Sequence, residues 1–324
     1  MKKIFAMAGA AFLAAAVLTG CGSKAEETAD AAGQSGIEKS DIIENIETDG
    51  TTQLDEVKEK GKLVIAMEGQ WSPWTYHDES GELVGYDTEV AQAIADKLGL
   101  EAEFVEGEWD GLFAGLDAGR YDVVVNGVEI TEERGEKYAF STPYAYVKTV
   151  IVCKKGYNQI DSFQDLSGKK TANSLGSTYA DMAASYGASV ENVDTLAETI
   201  DMLVSGRVDA TLNSEDSILD YLKQHPDADI EIVAYSDESS QVAIPISRAQ
   251  IELKEAIDKA LAELSEEGVL AELSEKYFGK DISVKPHENT GSEEGEVIDV
   301  DSAEELAEEV AEQIAEREAA EAEK

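Results

Sequence analysis

From Leu63 onward the chain alternates short, unbroken apolar runs with stretches in which apolar residues recur every three or four positions. The run Leu63-Val64-Ile65-Ala66-Met67 predicts a buried strand, and Thr88 to Leu98 predicts a helix with Val90, Ile94 and Leu98 on one face, closed by Gly99. Glu103-Phe104-Val105, a helix from Gly111 to Ala118 and the buried strand Val123-Val124-Val125 continue the pattern. Alternation of this kind implies a largely parallel sheet covered by helices. A second round begins with the apolar run Thr149-Val150-Ile151-Val152-Cys153 and extends to about Ser240. Within it, Thr195 and Glu198 form a capping box, and Leu196, Ile200, Leu203 and Val204 make the buried stripe of the helix it opens, ended by Gly206. Strands Ala210-Thr211-Leu212 and Ile230-Glu231-Ile232-Val233 follow, and helical stretches Ile251 to Leu264 and Val269 to Tyr277 close the fold. Two α/β units with helices left over predict two lobes.

The two ends read differently. Lys2 and Lys3 precede an apolar run from Ile4 to Val17, too short to span a bilayer, for which about 20 residues are needed. This is a secretory signal. It ends in Leu18-Thr19-Gly20-Cys21, which resembles the bacterial lipobox and makes Cys21 the expected site of a diacylglyceryl group. Residues 22 to about 52 have the small and acidic composition of a solvated tether. Beyond Ser283 the chain turns acidic, and Ser302 with Glu305 caps a helix to about Ala322 that reads as a solvated charged helix, or as one that docks onto a partner or a lobe. The expected organisation is a signal peptide over 1–20, a lipidated flexible tether over 21–52, a first lobe from 53–147 plus 243–282, a second lobe over 148–242, and an acidic, partly helical tail over 283–324.

A net charge of −43 argues against nucleic acid as a partner, since each phosphate would meet like charge. Cys153 is the one cysteine besides Cys21, so an acylated chain has no internal disulfide and depends on its core. Cys153 itself reads as inert packing. His77, His225 and His287 are scattered without ligand-like spacing, so no metal is expected, and no nucleophile elbow, phosphate loop or dinucleotide fingerprint predicts a catalytic residue or a cofactor. The tryptophans are more informative. Trp71, Trp74 and Trp109 each fall at or just after the end of a predicted strand, on the edge where open α/β sheets bind ligands. Trp74 reads as core, and Trp71 and Trp109 as ligand-facing, because loop positions rarely bury a full indole.

Seven segments, in order, resemble the extracellular solute-binding proteins of polar amino-acid ABC importers, over about Leu63 to Phe278. They are Gly81-Glu82-Leu83-Val84-Gly85-Tyr86-Asp87, Trp109-Asp110-Gly111-Leu112, Gly119-Arg120-Tyr121-Asp122, Ile130-Thr131-Glu132-Glu133-Arg134, Tyr138-Ala139-Phe140-Ser141-Thr142-Pro143-Tyr144, Gly206-Arg207-Val208-Asp209-Ala210 and Ser274-Glu275-Lys276-Tyr277-Phe278-Gly279. Asn126-Gly127-Val128 and Leu219 to Gln224 look most like the cystine and polar amino-acid branch. The resemblance implies a two-lobed periplasmic-binding-protein fold of type II, each lobe a mostly parallel sheet flanked by helices. The two lobes would be joined by a two-strand hinge near Tyr146 to Thr149 and Gln241 to Ala243. It also implies a monomeric carrier, held on the extracytoplasmic face of the cell membrane by its lipid, that captures an amino acid and hands it to an ABC permease without a cofactor.

By the same resemblance, Arg134 grips the ligand's α-carboxylate, with further donors from the backbone around Gly127, Glu129 and Thr131 and from Ser177 and Thr178. Thr131 has a second reading as the cap of the following helix. Trp71 and Trp109 flank the ligand side chain, and Glu68 either faces its far end, favouring a cation, or faces solvent. Two departures stand out. Ser214 stands where the family usually has an Asp for the α-ammonium, and Glu129 where it usually has Ser or Thr. The expectation is that Glu129 has taken over the ammonium, with Glu215 or Asp216, or a ligand without an α-ammonium, as the alternatives. Readings from other classes are a dehydratase-like enzyme on the same scaffold and a carrier of a solute other than an amino acid.

Overall fold

The computed structural model describes residues 36–286 except Asp49. The expected signal peptide, Cys21 and the helix from Ser302 lie outside the described residues.

The first lobe opens with α1 (Gln53–Lys60), which starts on a capping box made by Thr52 and Asp55. Then come β1 (Lys62–Met67), a small antiparallel meander β2 (Gln70–Trp71), β3 (Thr75–His77) and β4 (Leu83–Val84), α2 (Tyr86–Leu98), β5 (Glu101–Glu106), α3 (Trp109–Asp117), β6 (Val123–Val124), α4 (Glu132–Lys137) and β7 (Tyr138–Phe140). β1 is central, with β5 and β6 parallel to it on either side, as the alternating pattern predicts. Both α2 and α3 begin earlier than expected. Gly85, at φ +129°, ends the meander and lets α2 start at Tyr86, and α3 takes in Trp109 as its first residue.

The chain crosses on β8 (Ala145–Val147) into β9 (Thr149–Lys154). A 3₁₀ turn (Phe163–Leu166), β10 (Lys170–Asn173), α5 (Thr178–Ser185), β11 (Ser189–Asn192), α6 (Leu196–Val204), β12 (Thr211–Ser214), α7 (Glu215–Gln224) and β13 (Ile230–Tyr235) build the second lobe. Here β10 and β11 run parallel, while β9 runs antiparallel to both β12 and β13. Its side chains alternate as a two-sided core strand requires. Val150 and Val152 join one apolar cluster with Ile200 and Leu203, and Ile151 and Cys153 join another with Phe163 and Leu166. Burial pushes the Cys153 thiol up to about 12, so it is unreactive packing.

The return strand β14 (Ser240–Val242) pairs antiparallel with β8, which makes the two-strand hinge. β15 (Pro245–Ser247), α8 (Ile251–Glu266) and α9 (Val269–Phe278) then pack back on the first lobe, where α8 lies against α2. The hinge also touches the loop before α4: Ile130 donates its N–H to Gln241 O at 2.8 Å, and Ala243 donates to Val128 O at 2.9 Å.

Residues 36–48 overturn one expectation. Far from being a solvated tether, they form a strap whose Ile42, Ile43 and Ile46 are buried in the first lobe's main core. The Ser40 hydroxyl bonds the Glu263 carboxylate, and the Ser40 N–H donates to Lys97 O at 2.9 Å. Lys97, only 2% exposed, lies between Glu263 and Glu267. A buried ammonium is tolerable here because two carboxylates share it.

Candidate ligand-binding cleft

The cleft between the lobes is organised around Arg134. Thr131 caps α4 by accepting a hydrogen bond from Arg134 N at 3.2 Å, and this first turn aims the arginine side chain into the cleft. Its Nη1 donates to Glu129 O at 2.9 Å. The guanidinium lies 5.3 Å from the Trp109 ring and 5.5 Å from the Phe113 ring. This aromatic cradle holds a planar cation with N–H donors to spare, the geometry suited to a carboxylate. Burial lowers the Arg134 pKa, against the raising influence of the Glu129 carboxyl.

On the same lobe, Trp71 stacks on the fully buried Trp74 with ring centroids 5.4 Å apart, so Trp74 is core as the sequence predicts. Gly127, at φ +55°, touches the free edge of Trp71: a Cβ there would come within 2.5 Å of the indole. Its N–H, expected to face a ligand, instead donates to Asp87 Oδ2 at 2.5 Å. Asp87 is fully buried and also accepts from the Tyr144 hydroxyl at 2.7 Å; burial pushes its carboxyl up to about 7. Glu68 lines the cleft beside Trp71 rather than facing bulk solvent. It accepts from Asn126 Nδ2 at 2.6 Å, and burial raises its pKa to about 7.

The second lobe contributes the turn from β10 into α5. Ser177 caps α5 through Ala180 N at 3.1 Å, and Ser177 and Thr178 both line the cleft. Sequence reasoning missed their neighbours Asn173, Tyr179 and Asn213 and, at the entry to α6, Asp194, Thr195 and Leu196. The signal for Asn173 was available as a polar residue ending the buried strand Thr171-Ala172. Asp194 stood next to a capping box, which masked it.

Glu129 and Ser214 meet through Tyr179. Glu129 is buried and its Oε1 has no hydrogen-bond partner, but it does not line the Arg134 cleft; it lines a neighbouring cavity with Ser240, and that cavity shares Thr178 with the cleft. Burial pushes its pKa up, against the pull of Ser240, Arg134, Thr178 and Tyr179, and the Tyr179 hydroxyl also contacts Ser214. Ser214 itself does not line the Arg134 cleft; its hydroxyl donates to Ser217 Oγ at 2.8 Å and caps α7. Thr131 likewise lies outside that lining, as a cap. Glu215 and Asp216, the alternative carboxylates, pair with Lys280 at 3.1 and 2.9 Å.

The model of the bacterial extracellular solute-binding proteins, family 3, matches residues 63–280. The L-cystine-binding protein TcyA of Bacillus subtilis (strain 168) is 40% identical over 228 residues, covering 70% of this chain and 85% of that protein. A probable amino-acid ABC transporter-binding protein of Haemophilus influenzae is 39% identical over 229 residues, 71% of this chain and 89% of that one. Among solved structures, an ancestral arginine-binding protein bound to arginine matches with a TM-score of 0.64 at 39% identity, over 68% of this chain and 99% of that one. AncCDT-1, an ancestral amino-acid-binding protein and precursor of cyclohexadienyl dehydratase, matches with a TM-score of 0.64 at 30% identity, over 70% and 100%.

Proposed function

This chain belongs to family 3 of the bacterial extracellular solute-binding proteins, and we propose that it captures an amino acid between its two lobes and delivers it to an ABC importer. The observation that carries the reading is Arg134, set in an aromatic cradle inside the cleft with spare donors for the ligand's α-carboxylate. Ser177 and Thr178, at the start of α5, add donors from the facing lobe. Trp71 and Trp109 bound the slot for the ligand side chain, with Glu68 at its wall.

Glu129 supplies the carboxylate for the α-ammonium, replacing the acid missing at Ser214. Its support is the buried, unpartnered Oε1 beside the second lobe's Thr178 and Tyr179. Binding drives closure because the ligand touches both lobes only when they meet, and a ligand shifts an equilibrium only by its preference for one state. Acylation at Cys21 would hold the chain on the outer face of the membrane as a monomer beside its permease.

Thermal unfolding in the presence of single amino acids, cystine included, tests the assignment. One-site linkage gives about 4 kcal/mol of stabilisation at a thousandfold excess over Kd. A rise in Tm with one or a few amino acids is the expected result, and no rise with any of them would overturn it. Conversion of a cyclic amino-acid precursor with loss of water would mark the enzyme reading instead.

A further inference from the structure

We infer that Asn173 is a ligand-binding residue, its side-chain oxygen accepting a hydrogen bond from the α-ammonium of the bound amino acid. This rests on the amino-acid reading above and adds a second-lobe partner to the first-lobe Glu129.

The amide of Asn173 has one orientation. Its Nδ2 donates to Leu212 O at 2.7 Å and to Thr211 Oγ1 at 3.3 Å, while the Thr211 hydroxyl donates onward to Ala172 O at 2.8 Å. Turning the amide over would set oxygen against oxygen at Leu212, so Oδ1 is held away from the strand. Asn173 is 4% exposed, Oδ1 has no hydrogen-bond partner, and the residue lines the Arg134 cleft.

The kind of atom left unpaired identifies the ligand group. Among the described residues, the other buried side-chain atoms without partners are the Trp74 indole nitrogen, the hydroxyls of Thr75, Thr149 and Thr171, and Glu129 Oε1. A hydroxyl can turn to suit its surroundings and an indole N–H is a donor; only Asn173 Oδ1 and Glu129 Oε1 are bare acceptors. They come from different lobes: Asn173 lines the Arg134 cleft, and Glu129 lines the neighbouring cavity that shares Thr178 with it. Asn173 lies four positions before Ser177, and Glu129 stands beside Thr178 and Tyr179. Two acceptors call for a group that only donates, and the α-ammonium, with three N–H bonds, is that group on an amino acid. Ser214 does not serve, because its hydroxyl is engaged by α7.

Isothermal titration tests this with two ligands: the amino acid that raises Tm, and its des-amino analogue, in which hydrogen replaces the ammonium, followed by displacement if it binds weakly. Asn173→Ala should weaken the amino acid by about 10- to 100-fold, the range for one hydrogen bond to a charged group, and leave the analogue within about twofold. The unfolding midpoint is read alongside. Equal losses for both ligands would mean that Asn173 acts only through its tie to Leu212, and would overturn the inference, as would no loss for either. If the wild-type chain bound no amino acid, the carrier reading itself would fail before Asn173 came into question.

Discussion

Arg134 Nη2 donates to the carbonyl oxygen of Gly176 at 3.0 Å, so a side chain anchored on the first lobe touches the second across the mouth of the cleft. Its other amino group donates to Glu129 O, which holds the guanidinium over Trp109. Lysine keeps the charge but has neither the plane nor the paired donors. Arg134→Lys should therefore lower amino-acid affinity by about 2–5 kcal/mol, with Arg134→Met at least as damaging. Titration calorimetry checks this, and near-wild-type binding by the lysine variant would contradict the assigned role.

Asp87 makes folding stability depend on pH in an unusual direction. Its folded pKa, about 7, lies above its ordinary value of 3.8 because burial penalises the charged form. Between about pH 4 and pH 7 the folded chain therefore holds a proton that the unfolded chain has released. Stability from this group is greatest at the acid end, falls as pH rises through that window, and is level above it. Asp87→Asn removes this dependence. Urea denaturation of both proteins from pH 4 to pH 8 should show the balance moving toward the variant by up to roughly 4 kcal/mol, at about 1.4 kcal/mol per pKa unit. A difference that does not change with pH would count against a buried, titrating Asp87.

The strap should behave as core. Ile43 is 6% exposed and packs in the same cluster as Leu54, Ile94 and Leu264. Ile43→Ala should cost about 2–4 kcal/mol in denaturant unfolding, as expected for truncating a buried isoleucine. A residue in a free tether would change stability by less than about 0.5 kcal/mol, so the two descriptions are easily told apart.

A second contact holds the lobes together away from Arg134. Ser72 Oγ donates to Asp220 Oδ2 at 2.7 Å, and Gln224 Nε2 donates to the same oxygen at 2.6 Å. Asp220→Ala should favour the open form without ligand, seen as a larger radius of gyration in solution scattering. Affinity should drop by about 0.5–1.5 kcal/mol, the worth of an ordinary hydrogen bond. Unchanged scattering would mean that this bridge does not bias closure.

Much of the fold was written in the sequence because its signals are local. The apolar run of β9, the Thr195 cap accepting from Glu198 N, and the left-handed glycine after α2 each depend on residues within a few positions. Arg134, Trp71, Trp109, Ser177 and Thr178 were legible by motif or by place along the chain, and they share one cleft. What periodicity did not reveal is direction and partnership. An unbroken apolar run says that β9 is buried on both faces; only its pairing with β12 and β13 decides that it runs against them. The strap read as a tether because its isoleucines are diluted by acidic and small residues, and the surface that buries them exists only once the first lobe's main core has assembled. Gly127's N–H goes to Asp87, 40 positions away, and Asn173's amide nitrogen to Leu212, 39 away. A side chain's neighbours across such separations are set by packing, since burial forces each polar group to find a partner wherever the fold puts one. Sequence alone therefore determined the family and its two-lobed α/β fold, and the tertiary structure decided which side chains share the cleft and which of their donors and acceptors are already engaged.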